Sequence, residues 1–161
     1  MKRAIILLAF FLSLVALGAW WFSDKQVLKR RANSLMTTLT MDAGTGKTTR
    51  HLGAYSLNGL LAPRVELETP TIKEATGSFE REELESAYSW LCDAAKQTRF
   101  EVIKFESITI TGVEAEMKLR LTGNVEFPTS KPAEGEYDVT FQWKKWEDGW
   151  RLQKAVWDKG K

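Results

Sequence analysis

The chain has almost none of the residues that disulfide frameworks and metal sites require. Its 161 residues include one cysteine, Cys92, and one histidine, His51. A single cysteine cannot form a disulfide within one chain, and zinc sites draw mainly on cysteine and histidine. The sequence therefore excludes a disulfide framework and a metal site rich in histidine and cysteine within one chain, and we predict no metal and no cofactor. Because Cys92 lies in an apolar helical pattern, we expect a buried thiol rather than a nucleophile.

The chain also lacks an excess of charge of one sign. Its 23 basic and 21 acidic residues leave a formal net charge of +2. Domains that bind nucleic acid usually carry a strong basic surplus on one face. We therefore expect no nucleic-acid partner.

A complete phosphate-binding loop is missing as well. Gly46-Lys47-Thr48 resembles the end of such a loop, but the position of its first glycine is occupied by Met41. The motif must also follow a strand, whereas a helix is predicted before it here. We expect a loop between two helices and no nucleotide binding.

One long uncharged run is present, at the N-terminus. Residues 5–22 carry no charge and follow two basic residues. This length suits a membrane-spanning helix, and Trp20-Trp21-Phe22 at its end is typical of a membrane–water boundary. We predict a membrane anchor over residues 1–23, in contact with the lipid bilayer through residues 5–22. A cleaved signal peptide is the alternative, because Ala16-Leu17-Gly18 offers small residues at suitable offsets.

Residues 24–161 are predicted to form one domain, which we expect on the outer side of the cell membrane. Lys25, Lys29, Arg30 and Arg31 follow the uncharged run closely. These side chains could contact anionic lipid headgroups, or they could form the solvated face of a helix. The sequence leaves both interpretations open.

Apolar residues at helical spacing predict three helices. The first covers residues 24–40, and the second covers residues 48–62 and ends at Pro63. A short hairpin over residues 64–69 and 71–79 comes next, and Ser78 is the predicted N-cap of the third helix. The apolar stripe of the third helix consists of Leu84, Ala87, Tyr88, Leu91, Cys92 and Ala95.

Alternating residues predict four long antiparallel strands between positions 99 and 158. In residues 113–127 the odd positions are largely apolar and the even positions polar or charged, so one face is buried and the other is wet. Residues 137–143 repeat this pattern, and Asp148-Gly149 supplies a tight turn. In the first strand the apolar phase changes between Val102 and Ile103, which predicts a β-bulge.

This order of elements resembles the NTF2-like superfamily, which includes ketosteroid isomerase, SnoaL-type cyclases and scytalone dehydratase. The matching stretches are Gly77-Ser78-Phe79, residues 108–116, and residues 146–152 with the sequence Trp-Glu-Asp-Gly-Trp-Arg-Leu. The resemblance implies an α+β fold in which a cone-like, curved antiparallel sheet packs on three helices. With the N-terminal run, the chain looks like a membrane-anchored member of this superfamily.

Enzymes of this superfamily place a carboxylate or a His–Asp pair in a pocket between the helices and the sheet. No carboxylate shares the inward parity of the second and third strands, and on the last strand Lys154 is the one charged candidate beside Trp150, Leu152 and Val156. We therefore assign no catalytic residue. The prediction is a membrane-tethered, non-catalytic binding or assembly module. The alternative is a small enzyme of the isomerase, cyclase or dehydratase type that acts on an apolar ligand.

An apolar cavity would form if the space between helices and sheet is open. Its predicted lining, and so the candidate ligand-binding set, is His51, Tyr55, Tyr88, Met117, Phe141 and Trp143. The opposite face of the sheet is rich in charge, which opposes a tight interface. We expect a monomeric or weakly associated domain whose partners are other membrane proteins or an apolar small molecule.

Overall fold

The computed structural model describes residues 20–69 and 75–159, together with residues 11, 13, 17 and 18. From residue 24 onwards, these residues form three helices and six strands. In chain order they are α1 (Asp24–Leu39), α2 (Lys47–Leu60), β1 (Leu61–Glu68), β2 (Gly77–Glu80), α3 (Arg81–Ala94), β3 (Gln97–Thr111), β4 (Glu114–Glu126), β5 (Ala133–Trp146) and β6 (Gly149–Lys159).

All six strands belong to one curved sheet in the order β2-β1-β6-β5-β4-β3. The strands β3 to β6 form the antiparallel series that the alternation predicted. The β1–β2 hairpin joins the same sheet because β1 pairs in parallel with β6. This parallel pairing was not predicted, and it makes the sheet mixed rather than purely antiparallel.

The concave face of the sheet carries the core. On β4, Ala115, Met117, Leu119 and Leu121 are buried, and their outward neighbours are charged or polar. The strand β5 adds Val139, Phe141 and Trp143 to the same layer, and α1 covers it with Leu28, Ala32, Leu35 and Met36. The predicted alternation on these two strands is confirmed.

Bulges change which side chains face inwards. The register of β3 against β4 shifts at Ile103, as predicted, and again at Glu106. A third shift lies at Gln153 in β6, where Gln142 pairs with Lys154 but Trp143 pairs with Leu152. The inward assignment of Lys154 and Val156 is therefore wrong. Beyond this bulge it is Ala155 that is buried.

Two predicted helix ends also differ from the structure. The N-cap of α3 is Glu80 rather than Ser78, because Glu80 and Glu83 form a capping box in which the Glu80 amide donates to Glu83 Oε2 at 2.7 Å. The helix α2 ends at Leu60, and Pro63 lies inside β1. Proline is tolerated there because the pairing of β1 with β6 is irregular between Leu61 and Glu66.

The chain turns sharply just before α1. Trp20 and Trp21 are helical, Phe22 and Ser23 form the turn, and Ser23 is the extended residue that precedes α1. None of the helices in the described ranges has both the length and the apolar character needed to cross a bilayer. Most of the predicted anchor, residues 1–10, 12, 14–16 and 19, lies outside the described residues.

Candidate functional site

Large side chains fill the concave face at the place where a pocket was predicted. Trp143, Trp150 and Phe141 are fully buried there, and the rings of Phe141 and Trp143 meet edge to face with centroids 5.9 Å apart. The Trp143 indole nitrogen is buried and has no acceptor among the described residues. Side chains therefore occupy this part of the interior, and the Trp143 indole N–H there has no hydrogen-bond partner in the described part of the chain.

The predicted lining residues do not come together around one cavity. Met117, Phe141 and Trp143 lie in the core, and Tyr88 is buried between the helices. Tyr55, in contrast, is 86% exposed, because the buried positions of α2 are Arg50, Leu57 and Leu60 on its other side. The expectation that Tyr55 lines the interior is therefore corrected. His51 is partly exposed at the surface of the helical layer.

Arg50 is the buried charged residue that the sequence reasoning missed. Its guanidinium donates to five backbone carbonyl oxygens, those of Asp42, Thr45, Cys92, Ala95 and Lys96, at 2.8–3.3 Å. Three of these acceptors, Cys92, Ala95 and Lys96, lie in the last turn of α3 or just beyond it, where the partial negative charge of the helix end favours a cation. The sequence did indicate that Arg50 is buried, because helical spacing places it on the buried stripe of α2, four residues before Ala54 and seven before Leu57.

Tyr88 joins the same cluster of helix contacts. Its hydroxyl lies within hydrogen-bond distance of the carbonyl oxygens of Thr38, at 2.9 Å, and Arg50, at 3.2 Å. Burial raises the pKa of the Tyr88 hydroxyl well above its ordinary value. Gly53 leaves space for this ring, since a Cβ at that position would lie 2.9 Å from Tyr88 Cζ and would overlap the hydroxyl. The hydroxyl thus acts as a structural donor between helices.

His51 does have an acidic partner, although the sequence spacing suggested none. Its Nε2 lies 3.4 Å from Asp93 Oδ1, and Lys47 Nζ lies 3.4 Å from the same oxygen. The hydrogen bond from His51, aided by Lys47, lowers the pKa of the Asp93 carboxyl. This His–Asp pair lies on the outer side of α2 and α3, where both side chains reach water. The pair therefore lies apart from the concave face of the sheet, where a pocket was predicted.

Arginines from other elements hold the C-terminal end of α2, which has no basic residue of its own in its last turn. Arg31 Nη1 donates to the Gly59 carbonyl at 2.7 Å, and Arg151 Nη1 donates to the carbonyls of Asn58 and Leu61 at 2.8 and 3.0 Å. These contacts tie α1, α2 and β6 together. They satisfy the carbonyls that a helix end leaves without partners.

An open surface groove of about 620 Å³ lies between α1 and α2. Its walls are mostly small polar side chains, among them Asn33, Ser34, Thr37 and Ser56. It contains no carboxylate and no histidine. Within residues 20–69 and 75–159 and the four described residues before them, no group of three or more His, Cys, Asp or Glu side chains could hold a metal ion.

Solved structures with the same architecture define the fold of this chain. An NTF2-like superfamily protein from Salmonella enterica superimposes with a TM-score of 0.66 at 11% identity and covers 86% of this chain and 92% of its own. An NTF2-like protein from Cytophaga hutchinsonii gives a TM-score of 0.64 at 14% identity, with 84% and 98% covered. A structure from Streptomyces avermitilis, named as a proposed dehydratase of the NTF2-like family, gives 0.63 at 13% identity, with 86% and 98% covered.

The described part of the chain therefore has the NTF2-like α+β fold, as the resemblance implied. No family profile matches the chain, and no curated protein sequence is significantly similar to it.

Proposed function

We propose that this chain is a membrane-tethered, non-catalytic binding or assembly module. The observation that carries the proposal is the packed interior. The space that holds substrate in enzymes of this fold is filled here by Trp143, Trp150 and Phe141. Its partners would be other membrane proteins or an apolar small molecule, bound at the surface.

The ionisable groups near the interior have structural roles. Arg50 is committed to five backbone carbonyls, and the Tyr88 hydroxyl is held between the carbonyls of Thr38 and Arg50. Lys154 lies on the outer face beside Glu66 and Glu68, and these carboxylates raise the pKa of its amine. A general acid or base must lie within hydrogen-bond reach of the proton that it transfers, and these groups are already bonded to backbone carbonyls or to other side chains.

A tether at the N-terminus is supported by residues that precede α1. The uncharged run over residues 5–22 ends in three aromatic residues, and Trp20, Trp21 and Phe22 are exposed. Exposed aromatics next to basic residues are typical of the membrane–water boundary. We propose that residues 24–161 are held on the outer side of the cell membrane.

A second candidate is a small enzyme, or a carrier, that admits an apolar ligand to the concave face. The observation that favours it is the buried Trp143 indole N–H, which has no acceptor in the described part of the chain. A buried donor without an acceptor costs about 1–3 kcal/mol, so a ligand oxygen at this point would be stabilising. Such a ligand would have to displace packed aromatic side chains.

Ligand titration of the full chain in detergent separates the two candidates. A steroid probe should produce no saturable change in melting temperature or tryptophan fluorescence that depends on Trp143, since any binding would occur at the surface. Saturable stabilisation that Trp143→Phe abolishes, and that Trp90→Phe at an exposed position leaves intact, would establish the ligand-binding alternative.

The tether is tested separately, by washing membranes with alkaline carbonate. The full chain should remain in the pellet, and its release as a shortened chain would refute the anchor.

A further inference from the structure

Exposed apolar side chains collect at one end of the molecule. Trp20, Trp21 and Phe22 lie just before α1, and each is more than half exposed. Val113, at the tip of the β3–β4 hairpin, and Trp146, at the tip of the β5–β6 hairpin, are 55% and 43% exposed. We call residues 20–25, 112–114 and 144–148 together the hairpin end.

Specific contacts hold the three parts of the hairpin end together. The Asp24 carboxylate accepts hydrogen bonds from Lys145 Nζ at 2.9 Å and from Trp150 Nε1 at 3.0 Å. The Lys145 amide donates to the Val113 carbonyl at 2.7 Å. The start of α1 is thereby fixed to one hairpin, and that hairpin to the other. The exposed apolar side chains thus belong to one surface rather than to independent segments.

Cations lie over two of the exposed rings. The Arg30 guanidinium carbon is 4.7 Å from the centroid of a Trp21 ring, and Arg30 Nη1 donates to the Trp21 carbonyl at 2.9 Å. Lys144 Nζ is 5.7 Å from the ring of Trp146. An aromatic ring with a cation against its face suits the headgroup layer, because the ring contacts lipid carbon and the cation contacts phosphate.

The charge of this end favours an anionic surface. Its acidic residues are Asp24, Glu114, Glu147 and Asp148, and its basic residues are Lys25, Lys144 and Lys145. Three further cations adjoin it, namely Arg30 over the Trp21 ring, Arg31 beside Gly149 and Arg151 paired with Asp148. Asp24 is paired with Lys145, and Asp148 is paired with Arg151 of β6. Glu114 lies opposite Lys144 in the strand register. Together with the three adjoining arginines, the six basic residues exceed the four acidic ones by two. The surplus is positive, and each basic residue near an anionic membrane contributes about 1 kcal/mol.

We propose that the hairpin end docks on the surface of an anionic lipid bilayer, with Val113 and Trp146 entering the headgroup layer beside residues 20–22. The inference rests on the proposed tether and goes beyond it, because a tether alone would let the domain move freely above the membrane. We assign a lipid surface as the binding partner of the hairpin end because the uncharged run of residues 5–22 leads directly into this end.

A fluorescent label at the hairpin tip tests the docking. Val113→Cys in the full chain is labelled with an environment-sensitive dye, and Thr129→Cys, in the connection at the opposite end of β4, is the control. Native Cys92 is 1% exposed, so the unmodified chain serves as the blank. The chains are reconstituted into vesicles of phosphatidylcholine alone or mixed with phosphatidylglycerol. Emission at position 113 should shift to the blue only with phosphatidylglycerol, and at position 129 with neither.

Charge variants provide the second arm. Lys25→Gln combined with Lys144→Gln should lower the ratio of docked to free domain about thirtyfold, since two attractions to the anionic surface are lost. Lys131→Gln combined with Lys159→Gln removes the same charge from the opposite end and should change nothing.

The outcomes distinguish docking from tethering. Retention on vesicles without a shift at position 113 would overturn the docking and leave the tether standing. A shift at position 113 in a chain that carbonate releases would support docking and refute the tether, and no association with either vesicle would refute both. An equal shift on both compositions would overturn the proposal. A shift without lipid that grows with protein concentration would show that a second copy covers this end, and would overturn it too.

Discussion

At the scale of single residues, Arg50 shows how a cation can be buried without a carboxylate. Burying a charge is costly unless its hydrogen bonds are replaced. Five carbonyl oxygens replace them here, and three of these come from the end of α3, where the helix dipole is negative. The planar guanidinium can donate in several directions at once, which an amine cannot do in the same geometry.

Substitution of Arg50 should therefore be severe. Arg50→Met leaves partly or fully buried carbonyls without donors, and each such group costs about 1–3 kcal/mol, so we expect a loss of at least about 3 kcal/mol in the free energy of unfolding. Arg50→Lys should recover less than half of it. Urea denaturation measures both. Arg99→Met, at an exposed arginine, is the control and should cost under about 0.5 kcal/mol. An equally mild Arg50→Met would show that the five hydrogen bonds contribute little.

Two glycines of α2 provide a matched pair. Alanine is favoured over glycine inside a helix by about 1 kcal/mol, so Gly59→Ala, with nothing within 4 Å of the new Cβ, should stabilise the protein. Gly53→Ala should instead destabilise it by about 1–3 kcal/mol, because the Cβ meets the ring of Tyr88. Thermal denaturation of both variants checks the sign. Adding Tyr88→Phe to Gly53→Ala should relieve part of the loss, and stabilisation by Gly53→Ala would contradict the contact.

The residue scale is also where sequence reasoning about the site failed. His51 and Tyr55 are one turn apart, and their spacing predicts that they share a face, but not which face α2 buries. Tertiary packing against α1 and α3 turns Arg50, Leu57 and Leu60 inwards, which leaves Tyr55 in solvent. An arginine on the buried stripe was readable in the sequence, but its carbonyl acceptors come from a distant loop and from α3.

At the scale of elements, strand alternation was informative until a bulge intervened. The bulge at Ile103 was predicted because two apolar residues stand next to each other, at Val102 and Ile103. The bulge at Gln153 has no such signal, since Gln153 and Lys154 are both polar and suit either face. The inward side of β6 was therefore assigned wrongly beyond Leu152.

The hydrogen bonds between Asp24, at the start of α1, and the β5–β6 hairpin should make the stability of the protein depend on pH. Hydrogen bonds from Trp150, and then from Lys145, lower the pKa of the Asp24 carboxyl. A lowered folded-state pKa contributes stability above the unfolded pKa of about 3.9, and this contribution is lost as pH falls through the folded value. Melting temperatures from pH 7 to pH 2 should show Asp24→Asn less stable than the native chain at neutral pH. The difference should shrink below about pH 4.

Glu147→Gln in the neighbouring turn is the control for this pH series. It removes one exposed carboxylate close to the same hairpin, so a general effect of net charge would appear in both variants. A difference between Asp24→Asn and the native chain that stays constant down to pH 2 would show that the carboxylate does not stabilise the fold through its charge.

At the scale of the whole molecule, the convex face of the sheet is wet. Glu114, Glu116 and Lys118 are exposed there, and the Arg120 guanidinium donates to the Asp138 carboxylate with Nε to Oδ1 at 2.7 Å. Exposed pairs of this kind contribute under about 1 kcal/mol each, because water screens their attraction and hydrates both charges. Covering this face with another subunit would require charges to lose their hydration.

We therefore expect the protein to be monomeric or weakly associated through this face. Analytical ultracentrifugation of the full chain in detergent, with the detergent contribution matched out, should show a monomer. Lys118→Glu together with Arg120→Glu should leave that mass unchanged. A tight dimer that these substitutions dissociate would identify the convex face as an interface, and a dimer unaffected by them would point to another surface.

The overall fold could be predicted from the sequence because period-2 and period-3.6 patterns are strong in β4, β5 and α3 and occur in a characteristic order. The parallel pairing of β1 with β6 could not, because partners so distant in sequence leave no local pattern. The filled interior could not be read either. Inward aromatic residues such as Phe141 and Trp143 suit a lined cavity and a packed core equally well, and packing decides between them.

The position of β6 has a consequence for the time course of folding. This strand is made after the other five, yet it lies between β1 and β5. Until it is complete, the β1–β2 hairpin has no neighbour in the sheet, and an isolated hairpin is marginally stable. A nascent chain that ends before residue 149 would carry unpaired edges on both β1 and β5, which invite pairing with other chains. We therefore expect the sheet to be completed in one late step of folding, in which β6 inserts between β1 and β5.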